Sequence, residues 1–240
     1  MATPIKFRAE VAQVMRYAAD VATYEFRCLD RRPRYKPGQF LHLALDSYEP
    51  SGHWPESRVF TIANGSTDRD KIRLTIAAKG RFTQRILEEL QPGRQVWMKA
   101  PYGDFIVAAS PERETVLVAG GTGVTPFAAF LEDALVTGLA GQVWLHYGAR
   151  RADLLVFKHL ADACTARFPS FNVQFYAESG AGDGIVPGRI DLERVATLLP
   201  NPLQATFYLC GPPAMIEAMQ TKLVRDHAIS AENIRKDAWT

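Results

Sequence analysis

The spacing of apolar residues changes from one half of this chain to the other. Up to about residue 110, short runs such as GQFLHLALD and RVFTIAN are separated by turn residues, which is typical of antiparallel strands. Beyond that point, continuous apolar runs such as TVLVAGG and TFYLCGPP alternate with helical stretches, which is typical of a parallel sheet buried on both faces. The change predicts two domains, residues 1–110 and residues 111–240.

The first domain is predicted to be a small antiparallel β-barrel, because short strands follow one another closely with one helix among them. The helix covers residues 82–90 and is followed by Pro92-Gly93. The second domain is predicted to be an α/β domain with a parallel sheet. The barrel strands are FRAEVAQVMRYA, TYEFRCLD, GQFLHLALD, RVFTIAN, IRLTIAA, QVWMKAPYG and DFIVA. The second domain has the strands TVLVAGG, QVWLHYGA, NVQFYAES and TFYLCGPP, and the helices 127–135, 155–166, 192–198 and 213–225.

Charge and cysteine content exclude several classes of protein. The 28 Lys and Arg residues nearly balance the 26 Asp and Glu residues, whereas nucleic-acid-binding proteins usually have a strongly basic face. Cys28, Cys164 and Cys210 lack metal-ligand spacing, so we expect no metal site, iron–sulfur cluster or disulfide framework. No apolar run approaches the roughly 18 residues of a membrane helix, and the first residues lack a signal-peptide core. We therefore expect a cytoplasmic protein that binds neither nucleic acid nor membrane.

A glycine-rich loop follows the first strand of the second domain. In TVLVAGGTGVTPF, the glycines let a phosphate approach the backbone at the positive end of a helix. Thr125 is the predicted N-cap of that helix, and Pro126 suits its first position. The loop has neither the dinucleotide GxGxxG pattern nor the GxxxxGK[ST] pattern. Taken alone, it is also compatible with a simple tight turn.

A second glycine loop, Cys210-Gly211-Pro212, ends the last apolar strand. Open parallel sheets bind ligands beyond the carboxyl ends of their strands, so the two loops are predicted to line one cleft. A lone cysteine is often a small, buried apolar residue, and this is the alternative interpretation of Cys210.

Five motifs in order resemble those of the ferredoxin–NAD(P)⁺ reductase family. They cover the chain from about Arg58 to the end, and the turn YKPGQF extends the resemblance upstream. The resemblance implies an antiparallel flavin-binding barrel followed by a nucleotide-binding domain, the same two units that the apolar pattern predicts. The motifs are Arg58-Val59-Phe60-Thr61, Gly80-Arg81-Phe82-Thr83, GGTGVTP, YLCGPPAM and Asp237-Ala238-Trp239.

For the barrel, the resemblance implies a set of flavin-binding residues. Arg58 offers donors suited to a pyrophosphate, and the segment from Gly80 offers backbone N–H groups and the Thr83 hydroxyl. Phe60 departs from the usual tyrosine and so lacks its hydroxyl. Thr61 is expected near the hydride-accepting nitrogen of the flavin. The implied set is Arg58, Val59, Phe60, Thr61, Thr75, Ile76, Gly80, Arg81, Phe82 and Thr83, with Trp239 against the flavin from the C-terminus.

For the second domain, the resemblance implies that Cys210 and Asp237 join Thr61 along the path of hydride transfer. Asp237 is shorter than the commoner glutamate. Glu178 is expected to accept the ribose hydroxyls of NADH and to repel a 2′-phosphate, whereas Arg150 and Arg189 match positions used by NADPH enzymes. NADH is favoured, with NADPH as the alternative. The implied nucleotide-binding set is Gly121, Thr122, Gly123, Thr125, Pro126, Arg150, Glu178, Arg189, Cys210, Gly211, Pro212 and Met215.

The resemblance implies an FAD-dependent oxidoreductase that takes hydride from NAD(P)H. No CxxxxCxxC run is present, so electrons are expected to pass to a separate ferredoxin, flavodoxin or oxygenase component. A basic cluster on the barrel, formed by Arg31, Arg32, Arg34 and Lys36, is either a docking surface for an acidic partner or a solvated loop. The alternatives are an NAD(P)H:free-flavin reductase and a non-catalytic nucleotide-binding electron-transfer subunit.

Overall fold

The computed structural model describes residues 3–238 of the chain. It divides into two compact units between Ile106 and Val107. The first contains an antiparallel six-stranded sheet and the second a parallel six-stranded sheet, which confirms the predicted fold class. The predicted boundary at residues 110 and 111 lies slightly farther along the chain and stays a prediction.

The first unit is a curved antiparallel sheet with the strand order β4-β3-β6-β1-β2-β5. Its core contains large side chains from four strands, among them Phe7, Tyr24, Phe26, Leu41 and Met98, all with 0% exposure. The helix α1 follows β5 and buries Phe82 and Ile86. The elements are β1 (Ile5–Ala18), β2 (Val21–Cys28), β3 (Phe40–Ala44), β4 (Ser57–Thr61), β5 (Lys71–Ala77), α1 (Arg81–Glu89) and β6 (Gln95–Tyr102).

The predicted strand DFIVA is wrong: residues 104–108 form no strand. Phe105 is nevertheless 9% exposed, so its segment is buried without joining the sheet. Its backbone lies so close to Gly38 in the YKPGQF turn that a Cβ there would collide with the Phe105 carbonyl oxygen. A buried coil thus produced the same apolar pattern as a strand.

The second unit is a parallel sheet with the strand order β10-β9-β8-β7-β11-β12. The short β10 and the polar edge strand β12 lack the apolar runs that indicated the other four strands, and neither was predicted. The elements are β7 (Thr115–Gly120), α2 (Thr125–Thr137), β8 (Val143–Arg151), α3 (Lys158–Arg167), β9 (Phe171–Ser179), β10 (Ile185–Pro187), α4 (Leu192–Leu198), β11 (Thr206–Gly211), α5 (Pro213–Arg225) and β12 (Ile234–Ala238).

The helices of the second unit agree with prediction to different degrees. The bounds of α4 and α5 are those predicted. By contrast, α3 begins only at Lys158, because a 3₁₀ turn and then Phe157, with φ of 63°, precede it. The predicted N-cap role of Thr125 is wrong. A 3₁₀ turn over Gly121–Val124 runs directly into α2, so Val124 takes the cap position and Thr125 is already helical.

The strand order of the second unit reverses direction at β7. From β7, the chain adds β8, β9 and β10 on one side and then returns to add β11 on the other. A crevice forms beyond the carboxyl ends of the strands at such a reversal, here between β7 and β11. Over residues 3–238, no helix combines the length and the apolar character needed to cross a membrane.

Candidate functional site

Three predicted site segments meet at the carboxyl edge of the second sheet. Cys210 on β11 pairs with Ala119 on β7 and with Asp237 on β12, so the three residues lie side by side. Gly121 directly follows β7, and Gly211 is the last residue of β11. The sheet register therefore brings the two glycine loops and the predicted C-terminal acid to one place.

The two glycine loops approach each other so closely that side chains are excluded. A Cβ on Gly123 would collide with the carbonyl oxygen of Cys210 and lie 2.7 Å from the Cα of Gly211. A Cβ on Gly120 would lie 2.6 Å from the sulfur of Met215. Glycine at position 123 is thus required by the backbone contact between the loops, and the predicted convergence of the two loops is present in the structure.

Open space lies above Gly121. Its φ is +56°, and a Cβ built there would meet no atom within 4 Å. The next residue, Thr122, accepts a hydrogen bond from the Thr125 hydroxyl at 3.0 Å, which ties the loop to the first turn of α2. Unpaired N–H groups and the helix dipole make such a helix start favourable for anions, so a dinucleotide phosphate fits here.

Cys210 and Asp237 differ in their exposure. Cys210 is 0% exposed, whereas Asp237 is half-buried. The burial of Cys210 is also what a small apolar residue would show. Its role in hydride transfer therefore stays a prediction. The predicted contact of Trp239 with the flavin falls outside the described residues.

The residues expected to select the nucleotide lie at or just beyond the ends of β8, β9 and β10. Arg150, Glu178 and Arg189 are all exposed. The Ser179 hydroxyl donates to the Arg150 carbonyl at 3.0 Å, which joins the two strand ends. Arg189 Nε lies 3.2 Å from Glu178 Oε2, so the residue expected to favour NADPH is ion-paired with the residue expected to favour NADH. The sequence motifs did not predict this ion pair.

In the first unit, Arg58 lies over the start of α1. Its guanidinium carbon is 5.2 Å from the centre of the Phe82 ring, a cation–π distance. The same guanidinium donates to Glu56 Oε1 at 2.9 Å and to the Ser57 carbonyl at 3.0 Å. Its side chain is 54% exposed, so an anion has access to it. Two of the predicted flavin motifs are thereby brought together.

The start of α1 is closed by Thr83. The Thr83 hydroxyl accepts hydrogen bonds from the N–H groups of Lys79 and Gly80 at 2.8 and 3.0 Å, and donates to the Gly80 carbonyl at 2.9 Å. A Cβ on Gly80 would meet nothing within 4 Å, and Arg81 is exposed. The backbone N–H groups of this first helical turn fit a phosphate, whereas the Thr83 hydroxyl is already engaged by the loop.

The remaining predicted flavin residues are partly or fully buried. Val59 and Phe60 are half-buried, and Phe60 packs against the core of the barrel. Thr61 is 6% exposed and Ile76 is 1% exposed. The Ile76 side chain therefore belongs to the core, and only its backbone remains for contact with a ligand.

Comparison with known proteins assigns both units to described families. Residues 8–106 match the oxidoreductase FAD-binding domain, and residues 117–221 match the oxidoreductase NAD-binding domain. The chain belongs to the ferredoxin–NAD(P)⁺ reductase family. The family resemblance drawn from the motifs is confirmed, and FAD and a nicotinamide dinucleotide are the cofactors for which these domains are named.

Relatives of this reductase-family chain include longer proteins. It is 28% identical over 207 residues to a flavohemoprotein of Deinococcus radiodurans, a match covering 83% of this chain and 50% of the relative. It is also 28% identical over 225 residues to a ferredoxin–NAD(P)⁺ reductase component of naphthalene 1,2-dioxygenase/salicylate 5-hydroxylase systems from Ralstonia sp., covering 92% of this chain and 67% of the relative. The chain thus spans about half to two thirds of these relatives.

A solved structure shares the fold of this family member. The FAD/NAD-binding domain of nitric oxide dioxygenase from Vibrio cholerae has a TM-score of 0.82 and 20% identity, and the match covers 100% of this chain and 99% of that one. At this identity the likeness concerns the fold.

Sequence analysis missed two residues that contact predicted flavin-binding residues. The Thr23 hydroxyl lies 2.7 Å from the Thr75 hydroxyl, and the two residues face each other across β2 and β5. Glu56 pairs with Arg58. For Thr23, the available signal was a threonine within the apolar run VATYEF. For Glu56, the signal was an acidic residue two positions before Arg58. Neither signal indicated which residue would be the partner.

Proposed function

We propose that the protein is an FAD-dependent oxidoreductase that takes hydride from NAD(P)H and passes electrons to a separate acceptor protein. The observation that carries this proposal is the meeting of the Gly123 loop with Cys210 at the reversal point of the second sheet. Such a crevice suits a dinucleotide, and the same chain contains an FAD-binding domain. A cytoplasmic location stays a prediction from the sequence.

In this proposal, Arg58 and the start of α1 hold the flavin phosphates. Arg58 supplies charge-assisted hydrogen bonds, and the N–H groups after Gly80 supply the rest. Thr61, Thr75 and the backbone of Ile76 lie beside the ring, and Phe60 stacks on it. When bound, FAD accepts the two electrons of a hydride from NAD(P)H and releases them to an acceptor, singly or as a pair.

On the nucleotide side, the first turn of α2 holds the pyrophosphate. Gly121 leaves room for it, and the Pro212–Met215 segment closes the other side of the crevice. Cys210 and Asp237, from neighbouring strands, orient the nicotinamide, and no nucleophile is needed. Orientation matters because misplacing reacting atoms by about an ångström slows such a step roughly a hundredfold. NADH is the reductant that we favour.

The electron acceptor in this proposal is a ferredoxin, a flavodoxin or an oxygenase component. Support comes from the Ralstonia relative, which is named as the reductase component of oxygenase systems. The basic cluster Arg31, Arg32, Arg34 and Lys36 is exposed and suits an acidic partner, although Arg32 also pairs with Asp70 at 2.6 Å. Docking through this cluster should weaken with rising ionic strength.

The test begins with the purified chain. We expect a yellow protein that keeps its flavin on gel filtration and bleaches under anaerobic conditions when NADH is added. Reduction of cytochrome c should then rise when a ferredoxin or flavodoxin is supplied. A colourless preparation that takes up no added flavin would exclude the proposal. NADH oxidation that depends on added FMN or riboflavin, with flavin lost on gel filtration, would instead identify a free-flavin reductase.

A further inference from the structure

Glu178 and Arg189 place opposite charges at one corner of the nucleotide-binding unit. Arg189 Nε lies 3.2 Å from Glu178 Oε2, and their side chains are 84% and 41% exposed, respectively. Both side chains are therefore accessible to a ligand as well as to each other. Glu178 lies near the carboxyl end of β9, and Arg189 follows the short edge strand β10.

The backbone places these two residues together. Pro187 pairs with Ala177, and the N–H of Gly188 donates to the Ala177 carbonyl at 2.7 Å. Gly188 has φ of +100°, a conformation that favours glycine, so the chain turns there after staying in register with β9. Arg189 consequently emerges beside Glu178.

The position of the Glu178–Arg189 pair relative to the glycine loop indicates which part of a bound dinucleotide the pair contacts. Two strand spacings of roughly 4.8 Å separate β9 from β7, so the end of β9 lies about 10 Å from the Gly121 loop. A dinucleotide with its pyrophosphate at the start of α2 extends its adenosine ribose along this edge of the sheet. The distance suits the ribose hydroxyls or a phosphate attached to them.

The two side chains recognise different forms of that ribose. A carboxylate accepts hydrogen bonds from the 2′- and 3′-hydroxyls and repels a 2′-phosphate. A guanidinium binds a phosphate with paired N–H donors. An exposed ion pair is worth about 0–1 kcal/mol, so displacing it reduces the affinity for a ligand by no more than about fivefold.

We propose that Glu178 and Arg189 form an exchangeable pair that admits both NADH and NADPH. With NADH, Glu178 accepts the ribose hydroxyls while Arg189 stays beside it. With NADPH, Arg189 leaves Glu178 and binds the 2′-phosphate. This inference rests on the proposed function and deepens it. An exchangeable pair predicts only a small preference for NADH, with kcat/KM for the two nucleotides within about tenfold of each other.

The test measures kcat/KM for both nucleotides with ferricyanide as the acceptor. Arg189→Ala should lower the NADPH value at least about tenfold and change the NADH value less than about threefold. Glu178→Gln should raise the NADPH value about threefold to tenfold and lower the NADH value by a similar factor. Arg225→Ala is the matched control, because Arg225 is an exposed arginine of the same unit, 3.7 Å from Asp226.

A binding measurement separates failure of this inference from failure of the proposed function. Calorimetry on the full chain compares adenosine 2′,5′-bisphosphate with 5′-AMP, which requires no turnover. We expect Arg189→Ala to weaken only the bisphosphate. If turnover is absent but this loss is seen, the oxidoreductase proposal falls and the role of the pair stands. If Arg189→Ala changes neither the ratio of kcat/KM for NADPH to that for NADH nor the binding of the bisphosphate, the proposed role of the pair is overturned.

Discussion

The guanidinium carbon of Arg58 lies 5.2 Å from the centre of the Phe82 ring. Phe82 is 5% exposed and fixed by the core of the barrel, so its ring gives the flexible arginine a rigid support. Glu56 contacts the same guanidinium from another side. The arginine is thereby held beside the first turn of α1, where N–H groups and positive charge together favour a pyrophosphate.

Replacing Arg58 with Ala should weaken flavin retention without unfolding the barrel. The lost charge-assisted hydrogen bonds should raise the flavin dissociation constant about tenfold to a hundredfold. Flavin content after gel filtration, with the far-UV CD spectrum, measures both effects. Arg27→Ala is a matched control, because Arg27 is an exposed arginine of the same unit paired with Glu10 at 2.8 Å. Equal flavin content in the Arg58 variant and the wild type would contradict the phosphate role.

Exchanging the residues at the end of β9 should move the preference towards NADPH. The double variant Glu178→Ala and Ser179→Arg removes a carboxylate that repels the 2′-phosphate and adds a guanidinium. We expect the ratio of kcat/KM for NADPH to that for NADH to rise at least about tenfold. Ser179→Ala alone removes the hydrogen bond to the Arg150 carbonyl and controls for that loss. A ratio equal to that of the wild type would count against this assignment.

Adding one methyl group at Gly123 should damage the nucleotide crevice. The new Cβ would lie 2.7 Å from the Cα of Gly211 and collide with the carbonyl oxygen of Cys210, so the two loops must separate. We expect Gly123→Ala to destabilise the second unit by about 1–3 kcal/mol and to raise KM for the nucleotide. Gly80→Ala is the contrasting variant for stability, because its extended backbone, with φ of −166°, accepts any residue and its Cβ meets no neighbour. A Gly123→Ala protein as stable as wild type would contradict the close approach.

Sequence analysis was most accurate for features that depend on the local pattern of residues, such as helix ends and loops. The bounds of α4 and α5 follow from apolar spacing and proline, and the glycine loops follow from their motifs. Relations between distant residues were not available in this way. Arg189 beside Glu178 depends on the edge strand β10, which is only three residues long, and Thr23 beside Thr75 depends on the register of two strands. The strand predicted at DFIVA failed for the same reason, since burial alone does not reveal pairing.

A buried histidine should make the second unit sensitive to acid. His146 on β8 is 1% exposed, and burial lowers its pKa to about 4, with a smaller contribution from the charge of Arg194. Its Nδ1 lies 3.2 Å from the Tyr176 hydroxyl, while its Nε2 has no hydrogen-bond partner within residues 3–238. Protonation would therefore bury a positive charge and leave the Nε2–H without an acceptor among these residues.

The sign of the effect follows from the direction of this pKa shift. The unfolded chain binds a proton at His146 below about pH 6.5 and the folded chain only near pH 4, so stability is lost as pH falls between these values. Between pH 7 and pH 5 we expect a loss of about 2 kcal/mol. Urea unfolding of the wild type and of His146→Gln at both pH values isolates this contribution, because other groups titrate equally in the two proteins. The same loss in both would show that His146 is not its source.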